Sequence, residues 1–289
     1  MSYILETRGL TQVYGAGTPF ERKALDHVDL QIKQGEVLGI IGHTGSGKST
    51  LIQHFNGLLK PTEGEVLLAG QSIWNAKGKC SRETRFRVGL VFQYPEYQLF
   101  EETIAKDIAF GPTNMGLSQA EIDERVREAM AFVGLAPELA DQSPFALSGG
   151  QKRRVAIAGV IAMRPEVLIL DEPTAGLDPA GRDEIFAEIQ EYHKQTGATI
   201  LFVTHSMEDA ARMADRMLVM KDAKVMLLGI PREVFSHAEE IIAAGLDIPE
   251  ITKVILELNR RGLSLDPSIF TVEDAVRALA ACKKEGKTC

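Results

Sequence analysis

The chain has 289 residues, of which 45% are hydrophobic and 25% charged, a composition suited to one large domain or a domain with an appendage. Its 32 basic against 40 acidic residues give a net charge of −8, which excludes an overall basic field for nucleic acid. The cysteines (Cys80, Cys282 and Cys289) are too scattered for a disulfide framework, which favours a reducing compartment. The longest apolar stretches reach only about nine residues, and a membrane span needs about 20, so we expect any membrane role to go through a partner.

Short apolar runs rich in β-branched residues alternate with helix-period stretches, which predicts an α/β fold with a mostly parallel sheet core. Four runs stand out, at residues 36–41, 87–92, 167–170 and 199–204. A polar element follows each run: in turn a glycine-rich loop, Gln93, Asp171 with Glu172, and His205. Ligands of open α/β sheets bind beyond the carboxyl ends of the strands, so we expect these elements to form one site.

The glycine-rich loop reads GHTGSGKS at residues 42–49 and matches the pattern G-x-x-x-x-G-K-[ST] between a strand and a helix. Backbone N–H groups of such a loop wrap phosphates, and the following helix points its positive end at them. Lys48 is expected to reach the β- and γ-phosphates, and the Ser49 hydroxyl to bind Mg²⁺. The predicted nucleotide-binding residues are Gly42, His43, Thr44, Gly45, Ser46, Gly47, Lys48, Ser49 and Thr50.

The third run ends in two carboxylates, in the sequence VLILDE at residues 167–172. Asp171 is expected to hold Mg²⁺, directly or through water, and Glu172 to activate a water molecule. A helix N-cap explains Asp171 equally well when the pair is taken alone. The phosphate loop after another strand of the predicted sheet favours the catalytic interpretation.

A second anion site is predicted at LSGGQ, residues 147–151, where Ser148, Gly149, Gly150 and Gln151 begin a helix. The phosphate loop, LSGGQ, LDEPTAGLD and a strand-end histidine together resemble the ATP-binding cassette ATPases. This resemblance implies the P-loop cassette fold, with a sheet core, a helical subdomain, ATP and Mg²⁺ as ligands, and ATP hydrolysis. It also implies a dimer with two composite sites, in which LSGGQ of one subunit closes over the γ-phosphate held by the other.

The resemblance assigns roles to four further residues. Tyr14 matches the aromatic residue that stacks on adenine, although a surface aromatic in a turn would look the same without the family. Gln93 matches the Q-loop glutamine, which senses Mg²⁺ and the attacking water and links to the membrane subunit. Asp178 matches the D-loop aspartate at the dimer interface. His205 matches the switch histidine that contacts the γ-phosphate, whereas a lone histidine is more often structural.

The branch of the family is indicated by residues 91–116, with PEYQLF and FGPTNMG, and by TPFER at residues 18–22. These segments are similar to the second of the two paralogous ATPases in energy-coupling factor transporters, which import vitamins or metal ions. The resemblance implies a peripheral protein at the cytoplasmic face of the cell membrane. Its partners would be a second paralogous ATPase, a transmembrane coupling protein and a substrate-capture membrane protein, without nucleic acid. Another ABC transporter branch and a soluble, non-transport cassette ATPase remain the alternatives.

We predict a nucleotide-binding domain at residues 1–235, with a helical subdomain at about 95–165, and a C-terminal helical extension at 236–289. Ser118 is predicted to begin a helix through a capping box. In the extension, apolar residues at i, i+3, i+4 and i+7 predict one amphipathic helix over Ile251–Leu258, and TVED at residues 271–274 predicts the start of a last one.

Acidic and aromatic residues after the Q-loop glutamine predict a docking groove for a partner. The acids are Glu96, Glu101, Glu102 and Asp107, beside Tyr97, Leu99 and Phe100. A basic residue of a cytoplasmic helix would fit such a groove. In energy-coupling factor complexes, which this chain resembles, arginines of coupling helices dock here. Glu96 is the first choice for the docking acid, and an ordinary solvated acidic face is the alternative.

Overall fold

A computed structural model describes residues 2–284, so residue 1 and residues 285–289, with Cys289 among them, lie outside the described residues. Within 2–284 the strands are β1 (Tyr3–Tyr14), β2 (Arg22–Lys33), β3 (Val37–Ile41), β4 (Glu63–Leu68), β5 (Gln71–Ser72), β6 (Val88–Val91), β7 (Val167–Asp171), β8 (Thr199–Val203), β9 (Arg216–Lys221) and β10 (Lys224–Gly229). The α-helices are α1 (Lys48–Phe55), α2 (Arg82–Arg87), α3 (Ile104–Asn114), α4 (Gln119–Phe132), α5 (Gly149–Ile161), α6 (Pro179–Thr196), α7 (Met207–Met213), α8 (Pro231–Ser236), α9 (Ala238–Ala243), α10 (Glu250–Arg260) and α11 (Val272–Lys284). Short 3₁₀ helices lie at Pro95–Gln98, Pro137–Leu139 and Pro144–Ala146.

The described residues divide into two compact units. The first unit contains residues 2–37 and 49–203, and the second contains residues 38–48 and 204–284. The chain therefore passes between the units within β3, at the start of α1 and after β8.

The first unit contains the parallel strands β6, β7 and β8, in which Val88 lies opposite Val167 and Val167 lies opposite Thr199. Every residue of the three strands is buried, as expected for strands of a parallel sheet covered on both faces. These strands confirm three of the four predicted runs. The fourth predicted run is β3, whose residues are also all buried. Val37 of this strand belongs to the first unit, and its other residues belong to the second.

A four-stranded antiparallel sheet, in the order β2-β1-β4-β5, is also part of the first unit. This sheet was not predicted from the sequence. Its central strand β1 carries several register shifts, between Thr7 and Leu10 for example, and each shift interrupts the alternation of buried and exposed side chains. The period-2 pattern that signals a half-buried strand is therefore broken in the sequence.

Helices α3, α4 and α5 pack against one another in the first unit. The predicted capping box at Ser118 is confirmed: its hydroxyl accepts a hydrogen bond from the backbone N–H of Glu121, and the Glu121 carboxylate accepts one from the backbone N–H of Ser118. This reciprocal pair satisfies two N–H groups at the start of α4 that would otherwise lack partners.

The second unit combines β3, β9 and β10, with β9 parallel to β3 and antiparallel to β10. Its main core joins Ile41 and Val219 of these strands to Phe235, Ile241 and Ile248. Residues on both sides of position 235 thus share one apolar core. The predicted boundary between cassette and extension therefore does not separate two cores, and it stays a prediction.

The last two helices form a smaller core, in which Ile255 and Ala275 are buried. Not all of the predicted apolar stripe faces it, because Val254 is 48% exposed. The expected start of the last helix is confirmed: the Thr271 hydroxyl accepts a hydrogen bond from the backbone N–H of Asp274 at 3.2 Å.

Candidate active site

Residues 42–48 of the phosphate loop follow β3 and belong to the second unit. A side chain at Gly42 would clash with the backbone carbonyl of Met220 and with the Ser46 hydroxyl, so glycine is required there. The Lys48 ammonium group is buried and donates hydrogen bonds to the carbonyl oxygens of Gly42 at 2.5 Å and His43 at 3.1 Å. The buried Ser46 hydroxyl has no hydrogen-bond partner within residues 2–284. The loop thus encloses a cation, as a phosphate-binding loop does.

His205 lies in the same unit as the phosphate loop. A cavity of about 290 Å³ is lined by His205, by Gly42 and Thr44 of the loop, and by residues 245–247. Burial, and to a lesser degree the charge of Lys48, lowers the pKa of His205, so the imidazole is neutral at pH 7. The structure therefore brings two predicted elements together. The sequence analysis missed residues 245–247, which match no phosphate-site motif.

The residues that continue the loop lie in the first unit, where Ser49 is exposed. The Tyr14 ring is 41% exposed, and its hydroxyl lies 3.5 Å from the Thr50 hydroxyl, within reach of a hydrogen bond. Buried His54, which the sequence analysis missed, joins α1 to β1: its Nδ1 lies 2.7 Å from the Thr50 carbonyl oxygen and its Nε2 lies 3.1 Å from Gln12 Oε1. Gln12 and Tyr14 both belong to β1, so this bond fixes α1 beside the predicted adenine-stacking residue.

Asp171 is the last residue of β7 and is 8% exposed. The N-cap of the following helix α6 is Asp178, so helix capping does not explain Asp171. Glu172 follows in a left-handed conformation with φ +53°. Its backbone N–H donates to the Val203 carbonyl at 3.1 Å, and its own carbonyl accepts from the Ala175 N–H at 3.0 Å. A left-handed glutamate costs of order 1–3 kcal/mol and is typical of active sites.

Ser148 is the N-cap of α5, and Gly149, Gly150 and Gln151 form the first turn of that helix. The Ser148 hydroxyl accepts a hydrogen bond from the Gln151 N–H at 3.3 Å, and Gln151 Oε1 accepts from the Ser148 N–H at 3.1 Å. Ser148 and both glycines are exposed. The start of α5 therefore lies at the surface, with both glycines accessible to solvent.

Comparison with known proteins identifies the family. The profile of the ABC transporter family matches residues 25–175. The energy-coupling factor transporter ATP-binding protein EcfA2 of Clostridium tetani is 56% identical over 276 residues, which is 95% of this chain and 96% of that protein. Its counterpart in Caldanaerobacter subterraneus is 54% identical over 271 residues, 94% of each chain. The chain belongs to the ABC transporter family, among the energy-coupling factor ATP-binding proteins.

Solved structures agree with this family. CbiO1 from Clostridium perfringens, part of the ABC transporter complex cbiONQ, has a TM-score of 0.74 and 43% identity, and the match covers 88% of this chain and 99% of that one. The cassette MJ0796, in a dimeric post-hydrolysis state bound to ADP and Pi, has a TM-score of 0.69 and 30% identity over 78% of this chain and 98% of its own. The P-loop cassette fold and the ATPase activity predicted from the sequence are thereby confirmed. Among residues 2–284, no helix is both long and apolar enough to cross a membrane.

Gln93, which is predicted to be the Q-loop glutamine, is exposed just beyond the end of β6. The following segment differs from the sequence-based expectation at Glu96. The Glu96 carboxylate is mostly buried and forms a two-point ion pair with Arg153 of α5, at 3.2 and 3.3 Å. Glu96 therefore already has an internal partner, and it is a poor choice for the acid that receives a partner's basic residue. No local pattern indicates this ion pair, because its two residues are 57 positions apart.

Asp178, which is predicted to be the D-loop aspartate, is exposed at the start of α6. Its Oδ1 accepts a hydrogen bond from the backbone N–H of Gly181 at 2.8 Å, so the carboxylate caps the helix. Its role toward a second subunit stays a prediction.

Proposed function

We propose that this chain binds and hydrolyses ATP as an energising subunit of an energy-coupling factor importer of vitamins or metal ions. Hydrolysis would take place at composite sites formed with a second, paralogous ATPase subunit. The family membership supports the ATPase activity, and the relatives named EcfA2 support the transport branch.

ATP binding is assigned to the phosphate loop and to Tyr14. The buried Lys48 would exchange its carbonyl partners for phosphate oxygens, a charge-assisted contact about twice as strong as a neutral hydrogen bond. The exposed Tyr14 ring offers a face on which adenine can stack.

Mg²⁺ is assigned to Ser49, Gln93 and Asp171, which supply a hydroxyl, an amide carbonyl and a carboxylate. These hard oxygen donors fit Mg²⁺, which keeps several waters and usually takes its remaining ligands from substrate phosphates. Residues 2–284 contain no group of three or more His, Cys, Asp or Glu side chains placed to hold a metal ion. When bound, the ion would offset negative charge on the phosphates.

Hydrolysis is assigned to Glu172, Gln93 and His205. Glu172 would take a proton from the water that attacks the γ-phosphate, as a general base. Gln93 would orient this water. The imidazole of His205, being neutral, has one N–H to donate to the γ-phosphate and one nitrogen that can accept a hydrogen bond.

The proposal of a composite site rests on the exposure of three residues at the start of α5, namely Ser148, Gly149 and Gly150. The start of a helix attracts anions, and the first two residues of this 13-residue helix are exposed glycines. Since the Ser148 hydroxyl is fixed by its cap, the helix start is ordered before any phosphate arrives. A second subunit that holds ATP would supply the phosphate.

The remaining partners are assigned from the transporter branch to which the relatives named EcfA2 belong. We infer a transmembrane coupling protein and a substrate-capture membrane protein, with this chain peripheral at the cytoplasmic face of the membrane. In this assignment residues 1–235 are the cassette, with a helical subdomain at about 95–165, and residues 236–289 are the extension.

A groove in the first unit has the character needed to receive the coupling protein. Its volume is about 340 Å³, and its lining includes Phe100, Asp107 and Phe110. The two phenylalanine rings pack edge to face at 4.9 Å, yet they are 57% and 49% exposed. Asp107 accepts backbone N–H bonds from Phe100 and Glu101, and burial raises its pKa. A basic side chain would favour its charged form, so Asp107 replaces Glu96 as the docking acid.

We expect Asp107→Asn to weaken assembly with the transmembrane coupling protein while ATP binding by the isolated chain is unchanged. Truncating one partner of a desolvated charge pair costs about 2–5 kcal/mol of binding free energy. Neutralising Asp107 should therefore lower the affinity for the coupling protein at least tenfold. The measurement is co-purification of the membrane partner with the variant, beside a nucleotide-binding assay.

Glu102→Gln is the matched control, because Glu102 belongs to the same segment but is exposed and pairs with Lys106 on the surface. Such exposed pairs contribute about 0–1 kcal/mol, so this variant should assemble normally. Equal recovery of the membrane partner with Asp107→Asn and with wild type would remove Asp107 from the docking site.

A further inference from the structure

Arg153 is a buried arginine of α5, only 3% exposed, that belongs to none of the assigned nucleotide contacts. We propose that Arg153 is a positioning residue for the catalytic base: it holds the turn that begins at Glu172 and is itself held by Glu96. The inference rests on the proposed role of Glu172, and it adds to that role a residue from another element.

The guanidinium of Arg153 joins two segments that are far apart in the sequence. Its Nη1 donates to the Pro173 carbonyl at 3.2 Å, and its Nη2 donates to the Ala175 carbonyl at 2.9 Å. On the other side, Nε and Nη2 donate to the two carboxylate oxygens of Glu96 at 3.3 and 3.2 Å. One planar side chain thus fixes a carboxylate and two carbonyls at once, a geometry that arginine provides and lysine cannot.

The carbonyls that Arg153 holds belong to two residues that follow the base in the chain. Glu172, Pro173, Thr174 and Ala175 form a turn closed by the hydrogen bond from the Ala175 N–H to the Glu172 carbonyl. Glu172 itself is left-handed. Such a strained backbone persists only where the surrounding structure over-determines it. The Val203 carbonyl fixes one side of Glu172, and Arg153 fixes the turn on the other.

Glu96 gives the arginine its orientation. The side chains are 4% exposed in Arg153 and 16% exposed in Glu96, so the pair is largely removed from water. A buried ion pair is stable only when its geometry is good and its remaining donors are satisfied, and the two carbonyls provide the remaining partners. Loss of the Glu96 charge would weaken the ion pair that orients the guanidinium. The turn after Glu172 would then be held less firmly.

The test is Arg153→Lys in the full-length chain assembled with its paralogous ATPase. Lysine keeps the charge and reaches Glu96, but it cannot hold both carbonyls. We expect kcat for ATP to fall at least tenfold, while KM and the number of ATP molecules bound per chain stay within twofold of wild type. A general loss of folded protein would instead reduce the number of binding sites, so binding stoichiometry separates positioning from damage. Glu96→Gln should lower kcat by a smaller factor, about threefold, with KM unchanged.

Arg154→Lys is the matched control. Arg154 is the next residue of α5 and also bonds to a carbonyl and to carboxylates, but its partners are Val133, Glu184 and Glu188, away from the catalytic turn. Its kcat should stay within twofold of wild type. Wild-type kcat in Arg153→Lys, or a fall of equal size in Arg154→Lys, would overturn the positioning role.

The result also separates this inference from the proposed function. If Glu172→Gln abolishes turnover but Arg153→Lys does not, Glu172 is the base and Arg153 does not position it. If Glu172→Gln retains turnover, Glu172 is not the catalytic base. Arg153 then cannot be the positioning residue of that base.

Discussion

Replacing Glu172 with glutamine is expected to abolish steady-state ATP hydrolysis and to leave ATP binding intact. Glutamine keeps the length and shape of the side chain but cannot accept the proton of the attacking water. General base catalysis accelerates a reaction about 10²–10⁴-fold, so the turnover rate should fall by about that factor. Binding should survive because the phosphate loop and Tyr14 are unchanged. The measurement is phosphate release at saturating ATP, together with an ATP-binding isotherm.

Glu166→Gln provides the control for this prediction. Glu166 precedes β7, at the end of the strand opposite to Asp171 and Glu172, and pairs with Arg87. Like Glu172→Gln, this replacement removes one carboxylate, and it additionally removes the ion pair with Arg87. We nevertheless expect its turnover to remain near wild type. Turnover of Glu172→Gln within about threefold of wild type corresponds to roughly 0.65 kcal/mol and would exclude Glu172 as the base.

Replacing Lys48 with alanine should weaken ATP binding itself. The ammonium group is enclosed by the phosphate loop, where it bonds to the carbonyls of Gly42 and His43. A hydrogen bond to a charged group contributes about 1.5–3 kcal/mol, so the Kd for ATP should rise about 10–100-fold. Isothermal titration with ATP measures the change directly.

Lys106→Ala is a suitable comparison, because Lys106 is exposed and its ion pair is with Glu102 on the surface. Its affinity for ATP should match wild type. A thermal melt of Lys48→Ala checks that the loop variant remains folded. Wild-type affinity in a folded Lys48→Ala chain would contradict the assignment of the phosphate loop.

The parts of the site that could be predicted from the sequence are those specified by local patterns. The strands β6, β7 and β8 are continuous apolar runs, and the loop that starts at Gly42 has a fixed glycine spacing. The helix caps at Ser118 and Ser148 depend on residues three positions apart. Each of these signals lies within a few residues, so it is readable without knowing the fold.

The parts that could not be predicted depend on contacts between distant residues. Glu96 looked like a docking acid because its own segment is acidic and aromatic, but Arg153, which pairs with it, lies 57 positions away. His54 meets Gln12 across 42 positions, and the apolar core around Ile41 includes Ile248 of the C-terminal region. None of these pairs leaves a periodic or motif signal, because the residues are brought together only by the fold.

We propose that this chain is half of a composite ATPase, in which the exposed helix start at Ser148 binds phosphates held by another subunit. The most direct test is ATP turnover per chain over a dilution series, with and without the paralogous ATPase, while light scattering reports the oligomeric state. We expect the monomeric chain to bind ATP but hydrolyse it slowly, and turnover per chain to rise steeply as the second subunit is added. Full turnover by a dilute monomer, independent of concentration, would contradict the composite site.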